Sequence, residues 1–266
     1  MSEFETVNVH RRGGAATIEL ARPASMNAWN KQFGVELLAA VEQVAADDSV
    51  RAVCLTGAGR AFSSGADLKD LDDEELTPQG RPNVEKALME RYHPIIMGVR
   101  TMPKPVVAAV NGPAVGIGLS LALAADLVVA KESAYFLLAF INIGLVPDGG
   151  ASLFVPERVG LTRAAEMAML GDRIGAVQAA EWGLINRAVP DEAFDAEIAT
   201  LLDRLADGAT AAHAGIKEQL NRWLFERMES QLTLEAGLQG TASHSDDFAE
   251  GVTAFLQKRP ARFVGR

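Results

Sequence analysis

Two glycine-rich loops carry the residue types most able to do chemistry in this 266-residue chain: Ala61-Phe62-Ser63-Ser64-Gly65-Ala66-Asp67-Leu68 and Asn111-Gly112-Pro113-Ala114-Val115-Gly116-Ile117-Gly118. Each follows a buried apolar run and leads toward a helix. Small residues there let a ligand approach the backbone, and free N–H groups near a helix N-terminus bind an oxyanion. The same composition also serves tight turns and close packing, so residue type alone leaves both readings open. Gly116-x-Gly118 does not extend to a dinucleotide fingerprint, because Leu121 stands where a third glycine is required. His10, His93, His213 and His244 are isolated, with neither the i, i+4 spacing nor the Cys partners of a metal site. Cys54 is the single cysteine, so no intrachain disulfide forms, and within Val53-Cys54-Leu55 it reads as buried and inert. Asp148, in Val146-Pro147-Asp148-Gly149-Gly150, has the composition of a β-turn.

The elements that must position these loops follow from periodicity. Residues 4–10 and 15–20 alternate as two strands joined through Arg11-Arg12-Gly13-Gly14. Asn30 can cap a helix running to Ala46, with Phe33, Leu37, Leu38, Val41 and Val44 at helical spacing. A buried strand at 50–56, a helix at 83–102, a strand at 106–110, a helix at 119–125 and a strand at 127–130 come next. Strands alternating with helices imply parallel crossover units. Helices at 162–170 and 176–182 and a strand at 185–189 precede a stretch from Glu192 onward in which only helices are evident. The expected class is α/β, with a core over 1–190 and a helical C-terminal region over 191–266.

Composition sets outer limits. With 48% apolar residues the chain can bury a core, and 25 Lys+Arg against 35 Asp+Glu leave a net charge of −10. Such an acidic chain lacks the basic face that phosphate neutralisation along a nucleic acid demands. The uncharged stretch from Pro105 to Ala125 is interrupted by Asn111-Gly112-Pro113 and two further glycines, so it reads as buried core rather than a membrane span. The opening Met1-Ser2-Glu3-Phe4-Glu5 has no apolar leader, and a cytoplasmic location is expected. The run from Asp70 to Glu75 reads as a solvated surface.

At the two loops the sequence resembles the crotonase, or enoyl-CoA hydratase/isomerase, superfamily. The matching pieces are Arg22-Pro23 with Met26-Asn27-Ala28, Ser64-Gly65-Ala66-Asp67-Leu68, Lys104-Pro105-Val106-Val107-Ala108-Ala109-Val110-Asn111-Gly112, Asp126, Ile143-Gly144-Leu145-Val146-Pro147-Asp148-Gly149-Gly150, and Ala254-Phe255-Leu256 through Phe263. They occur in order over nearly the whole chain. The resemblance implies a spiral of ββα units with a helical C-terminal extension and an acyl-CoA thioester substrate. It implies no separate cofactor, CoA being part of the substrate. It also implies an oxyanion hole made by the N–H groups of Ala66 and Ile117, and assembly into homotrimers or hexamers through the C-terminal helices. Carried over by position, Arg22, Ala24, Met26, Ala28, Gly65, Asp67, Leu68, Lys69, Gly116, Phe140, Lys258 and Phe263 border the CoA or acyl group. Lys31 and Arg259 join Arg22, Lys69 and Lys258 as basic candidates for the CoA phosphates.

The departures from the family pattern narrow the chemistry. Where a typical hydratase has two glutamates, this chain has Ser120 and Phe140, and neither can trade a proton at neutral pH unaided. Asp148 matches the position of the catalytic aspartate in the family's isomerases. One carboxylate is sufficient to move a proton along an enoyl chain while an oxyanion hole holds the dienolate. Phe136, Leu138, Phe140 and Ile143 are expected to make its surroundings apolar and raise its pKa. Double-bond migration is thus the leading expectation, with hydration of a 2-enoyl-CoA and non-catalytic acyl-CoA binding as alternatives. The spacing of His93, Ile117 and Asp148 also resembles that of aryl-CoA dehalogenases, though a helix-packed structural His93 is the simpler reading. Asp67 is read as a site carboxylate or the cap of a following helix, Asp126 as structural and Glu166 as a surface residue.

Overall fold

A computed structural model describes residues 4–69, 76–78 and 82–266. The acidic run 70–75, and with it most of the connection to residue 82, lies outside the described residues.

The chain opens with β1 (Val7–Arg12) and β2 (Ala15–Leu20), an antiparallel hairpin in which Arg12 faces Ala15. Gly13, at φ +55°, supplies the left-handed conformation of the two-residue turn. Helix α1 (Lys31–Ala46) starts where the Asn30 side chain accepts from the Phe33 N–H at 3.0 Å, and it buries Phe33, Leu37, Val41 and Val44. Strands β3 (Ala52–Gly57), β4 (Val106–Val110), β6 (Leu127–Lys131) and β9 (Arg187–Val189) then add in parallel, giving a six-stranded sheet in the order β1-β2-β3-β4-β6-β9. All of β4 is buried, as expected of a central parallel strand.

The helix expected at 83–102 forms as α2 (Val84–Ala87), a π-helical turn (Leu88–Tyr92) and α3 (His93–Thr101). Helix α4 (Ile117–Ala124) begins two residues before its expected start and is buried throughout. A second small sheet escapes the sequence reading: β5 (Ala114–Val115), β7 (Tyr135–Leu137) and β8 (Ile174–Gly175). Two- and three-residue strands are too short to show alternation. The helix expected at 162–170 is instead α5 (Ala151–Leu170), with Pro156 inside it and a non-helical Gly160 (φ 75°, ψ 164°) dividing it. Helix α6 (Ala176–Glu181) precedes β9, and α7 (Phe194–Asp207), α8 (Thr210–Leu224), α9 (Met228–Ser243) and α10 (Asp246–Gln257) complete the chain.

These last helices pack on the sheet and on the helices before it. Phe194, Ile198 and Leu202 of α7 cover one sheet face at Cys54, Val107 and Val129. Helix α8 is held by charge: Asp126 accepts from Arg100 at 2.7 Å and from Lys217 at 2.9 Å, and also from the Val106 N–H at 2.9 Å. Asn221 accepts from Arg100 Nε at 2.6 Å and donates to the Arg100 carbonyl at 2.8 Å. Asp126 thus has the structural role expected of it. Arg100 and Lys217 are each 5% exposed, so removing their shared carboxylate leaves two buried cations uncompensated. Asp126→Ala is expected to lower stability by about 3–5 kcal/mol; urea unfolding monitored by far-UV circular dichroism measures this, and a loss below about 1 kcal/mol would contradict it.

Candidate active site

The first glycine loop is fixed from beneath by Asn27, which is fully buried. Its Nδ2 donates to the carbonyls of Ala58, Ala61 and Phe62 at 3.0, 2.8 and 3.2 Å, and its Oδ1 accepts from the Arg22 N–H at 2.9 Å. Trp29 Nε1 donates to Ser63 Oγ at 3.1 Å, and that hydroxyl donates to the Asn27 carbonyl at 2.9 Å. The second loop is tied to the first by Asn111, whose Nδ2 donates to the Gly57 and Gly59 carbonyls at 2.8 and 3.0 Å. The loops then pair directly. The Ser63 N–H donates to the Pro113 carbonyl at 3.0 Å and the Val115 N–H to the Ser63 carbonyl at 2.9 Å.

Beyond this pairing the backbones meet again at Gly65 (φ 90°) and Gly116 (φ 54°, ψ −128°). A Cβ on Gly65 would lie 3.0 Å from the Val115 carbonyl oxygen and 3.8 Å from Gly116 Cα. Gly65 needs glycine for φ and for space, and Gly116 for φ alone, since a Cβ there would meet nothing nearer than 3.8 Å. The residues that follow them, Ala66 and Ile117, are therefore brought together from opposite loops. The Ala66 backbone is oriented by a parallel bridge to Trp29, in which the Trp29 N–H donates to the Gly65 carbonyl and the Asp67 N–H to the Trp29 carbonyl. That pattern turns the Ala66 N–H away from Trp29. The Ile117 N–H belongs to the first residue of α4, where no intrahelical acceptor exists. Two backbone donors, one at the positive end of α4, can serve one oxyanion.

Asp148 lies against the same turn of α4. Ser120 Oγ donates to the Asp148 carbonyl at 2.7 Å, and a Cβ on Gly149 would fall 2.3 Å from Ile117 Cδ1 and 2.9 Å from Ser120 Cβ. The Asp148 side chain is 6% exposed. Its Oδ2 accepts from Gln239 Nε2 at 2.8 Å, while Oδ1 is buried with no hydrogen-bond partner among the described residues. Burial pushes the carboxyl up to about 7; the Gln239 hydrogen bond pulls against this and the charge of Glu235 adds to it. Burial also raises Glu235, whose carboxylate accepts from the N–H groups of Gly150 at 2.7 Å and Ser152 at 3.1 Å. Glu235 and Gln239 were missed in the sequence. Their signal is a polar pair at i, i+4 on the same buried stripe of α9 as Leu232, Ala236 and Gly240.

The other candidates are distributed around this centre. Phe140, 7% exposed, sits in a 3-10 turn (Ala139–Ile143), with its ring carbon Cζ 3.8 Å from where a Cβ on Gly116 would be. Asp67 caps no helix among the described residues; it pairs with Arg22 at 3.1 Å, and the same guanidinium donates to the Ala28 carbonyl. This corrects the cap reading, because the chain continues past Asp67 in a turn. It also shows Arg22 already neutralised. Ala24 and Met26 lie in and after the short turn Pro23–Ser25, and Leu68 and the exposed Lys69 follow Asp67. Lys258 ends α10 in a left-handed conformation, and Phe263 is 44% exposed on a tail folded back on α10, where Asp247 accepts from the N–H groups of Val264 and Gly265 at 2.6 and 2.8 Å. Arg259 is engaged with Glu250 at 2.5 Å. His93 is 7% exposed, and burial holds it neutral, its pKa pushed down to about 4; its Nε2 has no partner among the described residues. Burial likewise pushes the Cys54 thiol up to about 12. Glu166 is on the surface.

A spiral of parallel strands and helices that crosses two glycine loops beside a desolvated carboxyl defines a crotonase-type α/β enzyme fold. The enoyl-CoA hydratase/isomerase family model matches residues 10–266, and the chain belongs to that family. It is 45% identical to a probable enoyl-CoA hydratase of Rhodobacter capsulatus over 99% of both chains. It is 38% identical to the 1,2-epoxyphenylacetyl-CoA isomerase of Escherichia coli, over 99% of this chain and 100% of that one. Among solved structures, an enoyl-CoA hydratase from Mycobacterium avium subsp. paratuberculosis superposes with a TM-score of 0.89 at 36% identity, covering 98% of this chain and 100% of that one. No helix among the described residues is long and apolar enough to cross a membrane.

A carboxyl raised in the fold carries a defined pH signature. Between about pH 4 and 7 the unfolded chain releases a proton that folded Asp148 retains, so rising pH favours unfolding through this group. Asp148→Asn removes that dependence. Relative to wild type it is expected to gain stability between pH 4 and pH 8, by at most about 4 kcal/mol. Urea unfolding of both proteins at the two pH values measures the gain, and an unchanged difference between them would contradict a raised Asp148.

Proposed function

We propose that this protein shifts a carbon–carbon double bond within an enoyl-CoA thioester. The N–H groups of Ala66 and Ile117 hold the thioester oxygen, and ionised Asp148 takes a proton from the α carbon of a 3-enoyl-CoA. The C–H electron pair forms a double bond between the α carbon and the thioester carbon while the carbonyl π pair moves onto the thioester oxygen, giving a dienolate that the two donors and the α4 N-terminus stabilise. Asp148 then returns the proton to the γ carbon, giving the conjugated 2-enoyl-CoA. One C–H bond breaks, another forms, and no water is consumed.

The single observation that carries this reading is the buried Asp148 carboxyl, with one oxygen unpartnered, standing without a second acid at 120 or 140. A carboxyl held up to about 7 is matched to both taking and giving a proton near neutrality. Addition of water needs a second group to orient the nucleophile, and the Ser120 hydroxyl is already donating to the Asp148 carbonyl. The relative named an isomerase of an acyl-CoA ester is in keeping with rearrangement rather than hydration.

The CoA phosphates need local cations on an acidic chain, and exposed Lys31, Lys69 and Lys258 are the candidates left once Arg22 and Arg259 are paired. Assembly into trimers or hexamers has a candidate surface in α8, where Ile216, Leu220 and Trp223 are 54%, 48% and 83% exposed on one helical stripe.

Incubation with 3-enoyl-CoA in D₂O, read by NMR and mass spectrometry, is expected to show bond migration with deuterium at the α and γ carbons. Asp148→Asn is expected to reduce turnover about 10²- to 10⁴-fold. Wild-type kcat/KM is expected to rise with pH through about 7 as Asp148 ionises. Full turnover by Asp148→Asn, or a 3-hydroxyacyl product in place of migration, would overturn the reading.

A further inference from the structure

The two oxygens of Asp148 are not equivalent. Oδ2 accepts from Gln239 Nε2 at 2.8 Å, and Oδ1 is buried and unpartnered among the described residues. Gln239, 1% exposed on α9, is itself held from its other end, because the Val146 N–H donates to its Oε1 at 3.2 Å. A backbone N–H can only donate, so Oε1 must face Val146 and the amide NH₂ must face Asp148. One amide thus spans both sides of Pro147. One helical turn earlier Glu235 takes the N–H groups of Gly150 and Ser152, at 2.7 and 3.1 Å. A further turn back, Gln231 donates to Ser152 Oγ at 2.6 Å. Three successive turns of α9 therefore grip the segment from Val146 to Ser152, and Gln239 is the one that touches the carboxyl.

We infer that Gln239 is a positioning residue of the reaction: its amide occupies Asp148 Oδ2 and leaves Oδ1 as the oxygen that takes and returns the substrate proton. The inference rests on Asp148 being the base proposed above. A carboxylate free to rotate loses alignment with the two carbons it must reach in turn, and fixing one oxygen preorganises the other. Gln is suited to this because its amide is neutral. A cation in its place would hold Asp148 ionised and too weakly basic, whereas a carboxylate would repel it. Glu235 is the titratable group whose charge acts on Asp148, and it is already engaged by Gly150 and Ser152.

The test compares wild type, Gln239→Leu, Gln239→Glu and Asp148→Asn in two independent measurements. The first is steady-state kinetics on a 3-enoyl-CoA from pH 5 to 9. The second is ¹³C NMR titration of Asp-labelled protein, with the Asp148 signal assigned by its loss in Asp148→Asn. Gln239→Leu is expected to lower kcat about 10- to 100-fold with KM held within about 2-fold. It also moves the acid limb of the kcat profile and the Asp148 titration upward together. Gln239→Glu, nearly the same shape as the native side chain, moves both further upward, since two carboxyls then face one another. An unmoved Asp148 titration in both variants overturns the inference, as does a fall in kcat with no movement of the acid limb. The NMR arm needs no substrate: if wild type fails to isomerise, the proposed function falls, while the titration still decides whether Gln239 governs Asp148.

Discussion

At Gly65 and Gly116 two backbones from different crossover units meet with positive φ on both sides, and at Gly65 the Val115 carbonyl oxygen also leaves no free room for a side chain. The rest of the site is arranged around that contact. It brings Ala66 and Ile117 together from separate loops, and theirs are the N–H groups we propose to hold a negative oxygen at the start of α4. Asn27, Ser63 and Asn111 exist in this arrangement as fixed hydrogen-bonding posts: each is a side chain that ties loop backbone which would otherwise lack partners. A donor pair built this way needs no reorganisation when charge develops, which is the origin of its effect on a barrier.

The carboxyl beside it obeys a different constraint. Asp148 is buried, and desolvation alone makes an ionised carboxylate costly, so its charge must be sustained by groups around it. The support comes from α9, more than 80 residues further along the chain, through the Gln239 hydrogen bond, while Glu235 of the same helix holds the Gly150 and Ser152 N–H groups and its charge opposes ionisation of Asp148. The C-terminal region is consequently part of the surroundings of Asp148. Asp126, Arg100 and Lys217 hold α8 against the core, and Phe225 after it faces Phe154 of α5 with ring centroids 5.4 Å apart.

Local sequence was a good guide where a signal is repeated or capped. The hairpin at Gly13-Gly14, the Asn30 cap of α1 and the apolar runs of β3, β4 and β6 are each legible, because alternation, spacing or a turn residue declares them over several positions. The two glycine loops were legible as candidates by type and pattern, whereas Asp148 reads by itself as a turn residue and became a candidate only through the family resemblance. What was not legible had either too few residues or a distant partner. Strands β5, β7 and β8 are too short to show a period, the start of α5 was masked by Pro156 and Gly160, and the pairing of Asp67 with Arg22 joins residues from separate segments. Gln239 looks like an ordinary polar helix residue until the helix is docked.

The sequence by itself determined the α/β class, the parallel crossover units, the family resemblance and the absence of glutamates at 120 and 140. These are properties of residue identity and of spacing along one chain, and local sterics and hydrophobic periodicity are enough to express them. Only the tertiary structure decided which oxygen of Asp148 is free, what raises its pKa, that Arg22 is internally paired and that α9 completes the site. Desolvation and hydrogen-bond satisfaction depend on everything packed within a few ångströms, wherever it lies in the chain. Candidate site residues can therefore be nominated by family resemblance, but their protonation and hydrogen bonding are set by the packing that surrounds them.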